Sequence, residues 1–275
     1  MAVQNSLTRQ PQKFSVAIQG EGYKKLINNT LGDPKRAQRF VASVSSAVAT
    51  NPALQECDAG TILSSALLGE SLNLSPSPQL GQYYMVPFND NKNHRKVAQF
   101  QLGYKGYIQL AIRSGYYKKI NALAIKEGEL IKFDPLNEVV EVNLIEDETE
   151  RESANTVGYY AMFEYQNGFQ KPIYWSREKM ESHATRYSKG YQAKKGYTFW
   201  EKDFDFMALK TMLRQLISKW GIMSIELQSA VEGDMAVITE TGDKQYVDAV
   251  DGDYQPAEEP PTEEAQEVIE DDPLL

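Results

Sequence analysis

Apolar and polar positions along this chain follow two rhythms, and the switches between them mark its elements. Asp33-Pro34 opens a helix that runs to about Ala49, with Asp33 as N-cap and Pro34 in the first turn. Asn51-Pro52 repeats the signal. A further helix follows near Ala59–Ser71, burying Ile62, Leu63, Ala66 and Leu67, and Ser75-Pro-Ser-Pro78 ends it. The rhythm then shifts to period two: Gln82–Phe88 and Val97–Tyr104 read as a hairpin across a polar, basic turn at 89–96. A helix over 105–114 places Lys105, Gln109 and Arg113 on one side and Ile108, Ala111 and Ile112 on another.

Strands are expected at Lys119–Lys126 and Val139–Leu144, with an acidic, aperiodic loop at 147–155. The clearest hairpin follows. Val157, Tyr159, Ala161, Phe163 and Tyr165 alternate up to the Asn167-Gly168 turn, and Pro172 puts the return strand at an edge or a bulge. Ser176 caps a helix through Tyr187, and 188–197 reads as a loop. A long helix from about Trp200 to Lys219 and a short one at 224–231 close the core. The class is therefore α+β: a curved antiparallel sheet of hairpins with helices packed on one side. Three segments are expected: a mobile N-terminal arm (1–33), a core domain (34–233) and an acidic, largely disordered tail (234–275).

Charge changes this picture. The net charge of −9 hides a division, because the residues from Glu232 onward hold 15 acids and one base, Lys244. Residues 1–231 carry 28 Lys and Arg against 23 Asp and Glu, a net of +5. Within that body, 92–133 has nine cations against two acids and 171–220 has eleven against five. Segment 134–170 reverses the sign, with nine acids against Arg151 alone. Two basic blocks on a globular body suit a polyanion, although solvated faces would give the same count. The single cysteine, Cys57, excludes a disulfide framework, and its apolar helical setting suits packing. No apolar run has the length of a signal peptide or a membrane helix, so a soluble, cytosolic protein is expected.

Catalytic motifs are sparse. There is no Gly-Lys-Ser/Thr for cradling nucleotide phosphates. His94 and His183 have no metal-ligand spacing with each other or with Cys57, and are expected in a solvated turn and on a helix surface. Glu201, Asp203 and Asp205 form the nearest approach to a carboxylate cluster, but at a helix start capping is the simpler role. What recurs instead is cations interleaved with aromatics. Tyr104, Lys105 and Tyr107 precede Arg113, Tyr116, Tyr117, Lys118 and Lys119; later come Tyr187, Lys189, Tyr191, Lys194, Lys195, Tyr197, Phe199 and Trp200. Single-strand binding uses this mixture, cations for phosphates and rings for bases. Tyr104 and Tyr107 suit the core as well as a contact, whereas Tyr191 and Tyr197 are expected to be exposed. On the long helix Lys210 and Arg214 share a face beside Thr211, which suits phosphate contact or pairing with the acidic segment.

Two runs carry a family resemblance. Leu80-Gly-Gln-Tyr-Tyr-Met-Val-Pro-Phe-Asn89, and then Gly103-Tyr-Lys-Gly-Tyr-Ile-Gln-Leu-Ala-Ile-Arg-Ser-Gly115, resemble the RecT family of phage single-strand annealing proteins. Trp200 followed by Met207, Lys210, Thr211 and Arg214 resembles the pattern near the end of that family's core. The resemblance covers about residues 50–233 and departs most in 89–96 and 147–155. It implies a fold similar to the Rad-type annealing proteins and an ATP-independent protein that pairs complementary DNA strands in an oligomeric groove. It also implies no hydrolytic site, no required cofactor and no metal needed for chemistry. The implied partners are single-stranded DNA, the annealed duplex and further copies of the chain in a ring or helical filament. A phage exonuclease and, through the acidic tail, host single-strand-binding protein complete the set, in the bacterial cytoplasm and with no membrane. The expected DNA-binding residues are Lys105, Arg113, Lys118, Lys119, Lys189, Lys194, Lys195, Lys210, Thr211 and Arg214, with Tyr191, Tyr197, Phe199 and Trp200 for base stacking. Two alternatives stay open: a metal-dependent nuclease built on Glu201, Asp203 and Asp205, and a passive single-strand binder.

Overall fold

Helices and antiparallel strands alternate in the computed structural model, which describes residues 13–90, 93–196, 198–239 and 241–245. Three helices open it: α1 (Phe14–Ala17), α2 (Glu21–Leu31) and α3 (Pro34–Ala49). The carboxylate of Asp33 accepts from the Lys35 N–H at 2.9 Å, a cap that contributes about 1 kcal/mol. Residues 13–33 therefore correct the expectation of a mobile arm: Phe14, Ile18 and Ile27 are buried in the main core. The other arm residues, 1–12, lie outside the described residues. After a 3₁₀ turn at Pro52–Glu56, α4 (Ala59–Ser71) starts at Asp58, whose side chain accepts from the Thr61 N–H. Cys57 is buried against this turn, and burial pushes its thiol up to about 12, so it packs as a small apolar group.

The first hairpin pairs β1 (Tyr83–Asp90) with β2 (Arg95–Leu102) and leads into α5 (Tyr104–Arg113). Gly106 is required there by close approach: a Cβ would lie 2.0 Å from the Gln82 carbonyl oxygen. Gly115, at φ +75°, then turns the chain from α5 into β3 (Tyr117–Lys126). A small hairpin, β4 (Leu130–Asp134) and β5 (Val139–Val142), precedes α6 (Glu148–Ser153). The expected acidic loop is thus partly a helix, capped by the Asp147 carboxylate, with Glu148 and Glu150 in the first turn and Arg151 in the last. The hairpin β6 (Thr156–Tyr165) and β7 (Gln170–Ser176) follows, then α7 (Arg177–Tyr187) capped by Ser176.

Next come α8 (Lys189–Gln192), α9 (Phe199–Lys202), α10 (Phe204–Trp220) and α11 (Ile225–Gly233). The strands β8 (Ala236–Ile238) and β9 (Lys244–Gln245) close the described chain.

Among the described residues the strands form three antiparallel sheets rather than one curved sheet: β1-β2-β8-β9, β3-β6-β7 and β4-β5. The class is α+β, as the patterning predicts. Pro172 lies on β7, an edge strand, where a missing N–H disturbs no second ladder. Because β8 pairs with β2, the core domain extends past 233, and the expected tail boundary is corrected to lie beyond Gln245. The remaining tail, 246–275, lies outside the described residues. Tyr159, Ala161 and Phe163 of β6 turn inward onto Met212, Leu213, Leu216 and Ile217 of α10, so the long helix and the three-stranded sheet share the main core.

Candidate nucleic-acid interface

Three groups of predicted contact residues have three different fates. The first lies along α5 and the start of β3. Lys105 is exposed at the beginning of α5 and makes no ion pair among the described residues. Arg113, at the end of α5, is also exposed, but its guanidinium donates to the carbonyls of Leu72 at 2.7 Å and Asn73 at 3.4 Å. It therefore satisfies carbonyls that follow the last turn of α4. Lys118 and Lys119 both reach the Glu164 carboxylate on β6, at 2.5 and 3.4 Å. The hydrogen bond from Lys118 holds the Glu164 carboxyl below the usual range. Two exposed ammonium groups share one buried acid, which leaves one positive charge uncompensated. They border an open groove of about 540 Å³ with Ile112, Tyr160 and Met162.

The second group is the segment between α7 and α10. Lys194 is exposed in a left-handed turn at φ 50°. Lys195 is exposed too. Lys189 begins α8, but its side chain lies outside the description, as does Tyr197 entirely. Tyr191 corrects the expectation of an exposed stacking ring: it is half-buried, 6.3 Å from Trp200 and 6.0 Å from Phe204 between ring centroids. Trp200 is buried and Phe199 half-buried, so Trp200 and Tyr191 pack the core edge rather than present free faces.

The third group is the helical triplet on α10, and here the expected exposed stripe is overturned. Lys210 and Thr211 are each only 9% exposed. Arg214 pairs at 3.0 Å with Asp234, a carboxylate with no exposed surface. The same carboxylate accepts from the Leu102 N–H at 2.9 Å and the Tyr107 hydroxyl at 3.0 Å. Burial, then the Asp234 charge, drives the Tyr107 hydroxyl well above the usual range, so it stays a donor. Burial pushes the Lys210 ammonium below its ordinary value while Asp234 opposes that shift. Asp234 thus ties α5, α10 and the β2–β8 ladder together, and these cations are structural before they are anything else. Tyr107 is core, and Tyr104 is half-buried against Phe206.

The carboxylate triad of the nuclease alternative is spent on the fold. Glu201 accepts from the Thr198 N–H and hydroxyl in a capping box, and Asp203 caps α10 through the Phe206 N–H. Asp205 accepts from the Tyr159 hydroxyl at 2.6 Å and Thr156 at 2.9 Å, beside Arg177. Among the described residues no three His, Cys, Asp or Glu side chains are placed to hold a metal ion. Nor is any described helix long and apolar enough to cross a membrane. His94 lies in the exposed β1–β2 turn as expected, whereas His183 departs from expectation: it is half-buried among aromatic rings. The residue that sequence reasoning missed is Asp234, assigned to the tail because acids dominate from 232 onward. The apolar run Ala236-Val-Ile238 just after it is the signal that a strand continues there.

An α+β body whose exposed cations border apolar and aromatic side chains suits a polyanion with flat bases, and comparison with known proteins gives the family. The RecT family model matches residues 38–250, more than half the chain. The chain is 37% identical to the uncharacterized protein YqaK of Bacillus subtilis strain 168, an alignment covering 96% of this chain and 92% of that one. It is 31% identical to Protein RecT of Escherichia coli K12, over 72% of this chain and 71% of that one. The chain belongs to the RecT family and is a single-strand annealing protein of DNA recombination. That family is associated with phages and prophages.

Proposed function

We propose that this protein pairs complementary DNA strands without ATP and without a required divalent metal, working as an oligomer whose subunits join short basic tracks into one. Base pairing at about 1.4 kcal/mol per step supplies the driving force, so the protein's work is kinetic. It neutralises phosphates, keeps the strand free of self-pairing and presents bases. The observation that carries this reading is the open groove where Lys118 and Lys119 stand beside Ile112, Tyr160 and Met162. Cations next to flat or apolar side chains suit an unpaired strand better than a duplex, whose bases are hidden. Lys105 and Lys194 extend the exposed positive surface. Expected partners are single-stranded DNA, the annealed product, further copies of the chain and an exonuclease that produces single strands. Host single-strand-binding protein is a further expected partner, engaged through the acidic C-terminal sequence.

The test is fluorescence-monitored pairing of two complementary oligonucleotides, alone, with ATP and with EDTA. Acceleration that is equal in all three is expected. Acceleration only with ATP overturns the proposal; DNA shortening that EDTA stops indicates a nuclease, and slowed pairing indicates a passive binder. Mass photometry of the same mixtures checks the assembly, which is expected to grow when the second strand is added.

A further inference from the structure

Helix α7 separates its charges into two flanks. Lys179, His183 and Tyr187 follow at i, i+4 and i+8, and Arg186 sits three residues after His183, so the four share one stripe. Glu178, Glu181, Ser182 and Thr185 hold the opposite flank, where they border a shallow polar groove that Arg186 also touches. Met180 and Ala184 turn into the core between the flanks. Part of this division serves the helix itself, with Glu178 in the first turn, Arg186 in the last and Arg177 paired to Glu181, but it also leaves Arg186 and Tyr187 exposed at the end of the cationic flank.

The cationic flank is also aromatic. Trp175, near the end of β7, lies 4.5 Å beneath the Lys179 ammonium. Its ring is 5.5 Å from His183, and His183 is 4.5 Å from Tyr187 and 6.5 Å from Trp200. Buried Trp200 fixes this row to the core, and Tyr187 forms its open end with 64% of its surface exposed. The Arg186 guanidinium sits 5.5 Å from the Tyr187 ring. Burial, then the charges of Arg214 on α10, Arg186 on α7 and Lys219 on α10, push the His183 imidazole below the usual histidine range. Lys179 and Arg186 thus stand against the two ends of this row of rings, and neither makes an ion pair among the described residues. An exposed ring that buries little, held in a fixed row and surrounded by positive charge, is what a nucleobase with its flanking phosphates would complete.

We propose that Tyr187 is a base-stacking platform for single-stranded DNA, with Arg186 and Lys219 contacting the adjacent phosphates. None of these three residues lines the groove at Lys118 and Lys119. The inference rests on the annealing reading and deepens it by assigning a base contact.

The experiment uses the full chain and compares the parent with Tyr187→Ala, Tyr187→Phe and Lys219→Ala. Each is titrated with a fluorescent single-stranded oligonucleotide and with an abasic oligonucleotide of equal length, over a range of salt. Tyr187→Ala should bind the intact strand about fivefold more weakly or worse, because one stacked base is lost. Its salt slope should match the parent, its affinity for the abasic strand should be unchanged, and Tyr187→Phe should restore binding. Lys219→Ala should instead lower the slope by about 0.7 on both oligonucleotides. Parent-like binding of the intact strand by Tyr187→Ala, or an equal loss on both strands, overturns the platform. A parent that binds no single-stranded DNA defeats the annealing reading together with it. Thermal unfolding of Tyr187→Ala checks the fold, and Tyr187→Phe keeps the test decisive if the smaller side chain perturbs it.

Discussion

Lys118 and Lys119 on β3 and Lys210 and Arg214 on α10 began as equals, cation pairs at spacings that suit phosphate contact. They differ in what covers them. The β3 pair stands in solvent above Glu164 beside an open groove. The α10 pair lies beneath the segment that ends α11 and begins β8, and Asp234 from that segment closes it. Spacing on a helix decides which side chains share a face, and long-range strand pairing decides whether that face meets water. The α10 cations are consequently held in place by the fold, whereas the β3 cations are free to answer to a ligand.

The largest effect should come from breaking the buried side of this comparison. Asp234→Ala removes the acceptor for Arg214, the Tyr107 hydroxyl and the Leu102 N–H together, and leaves Lys210 buried without its counter-charge. A loss of about 3–5 kcal/mol is expected, as for other buried pairs cut on one side. Urea unfolding measures it, and a variant as stable as the parent would show that this carboxylate is not the clasp.

The same contrast shows what was legible in the sequence. Local chemistry could be read directly: Asp33 and Ser176 as caps, the Asn167-Gly168 hairpin and the edge strand at Pro172 all depend on near neighbours. Covering of one element by a distant one could not. Lys210 looked exposed because strand β8 is 26 residues further on, behind an acid-rich composition that reads as tail. The N-terminal helices were missed for another reason. Phe14 and Ile18, and then Tyr23 and Ile27, carry four-residue helical spacing, but surrounding Gln, Asn and Gly diluted it. Of the candidate site, the cations at Lys105, Lys118, Lys119 and Lys194 were legible as exposed charge, while the row from Trp175 to Tyr187 spans a strand and a helix and needed the fold to assemble it.

A moderate effect is expected from making Lys210 permanently neutral. Lys210→Met keeps the volume, and Asp234 retains three donors, so stability at neutral pH should change by no more than about 1 kcal/mol. The pH dependence should change more clearly. The folded-state pKa of Lys210 lies below its ordinary value of 10.5. Between those two values the unfolded chain binds more protons, so this group makes stability rise with pH. Below the folded value that contribution is unfavourable and constant. Unfolding curves on approach to pH 10 should therefore rise less steeply for Lys210→Met than for the parent. Matching slopes would mean that Lys210 titrates normally.

On the exposed side, Lys118→Ala and Lys119→Ala should each change stability by at most about 0.5 kcal/mol, since the other lysine still faces Glu164. Each should lower the salt slope of single-strand binding by about 0.7, without regard to base sequence. Parent-like slopes for both would remove this groove from the DNA path.

The smallest effect concerns residues 248–275, and it separates the two regions by charge alone. This segment holds eleven acids and no Lys or Arg, while the body through 231 is positive. A tethered polyanion reaches an effective concentration of order mM near the cations of its own chain. The α10 cations already have a buried counter-charge in Asp234, so only cations such as Lys118, Lys119, Lys194 and Lys219 have anything to gain from it. Deleting 248–275 should leave the unfolding midpoint unchanged. It should strengthen single-strand binding modestly at low salt, and the gain should vanish as the Debye length falls to about 3 Å near 1 M salt. Titrations of the full and shortened chains across that range measure it. A shortened chain that unfolds earlier would place the segment in the fold, and a gain that persists at high salt would show that charge is not the cause.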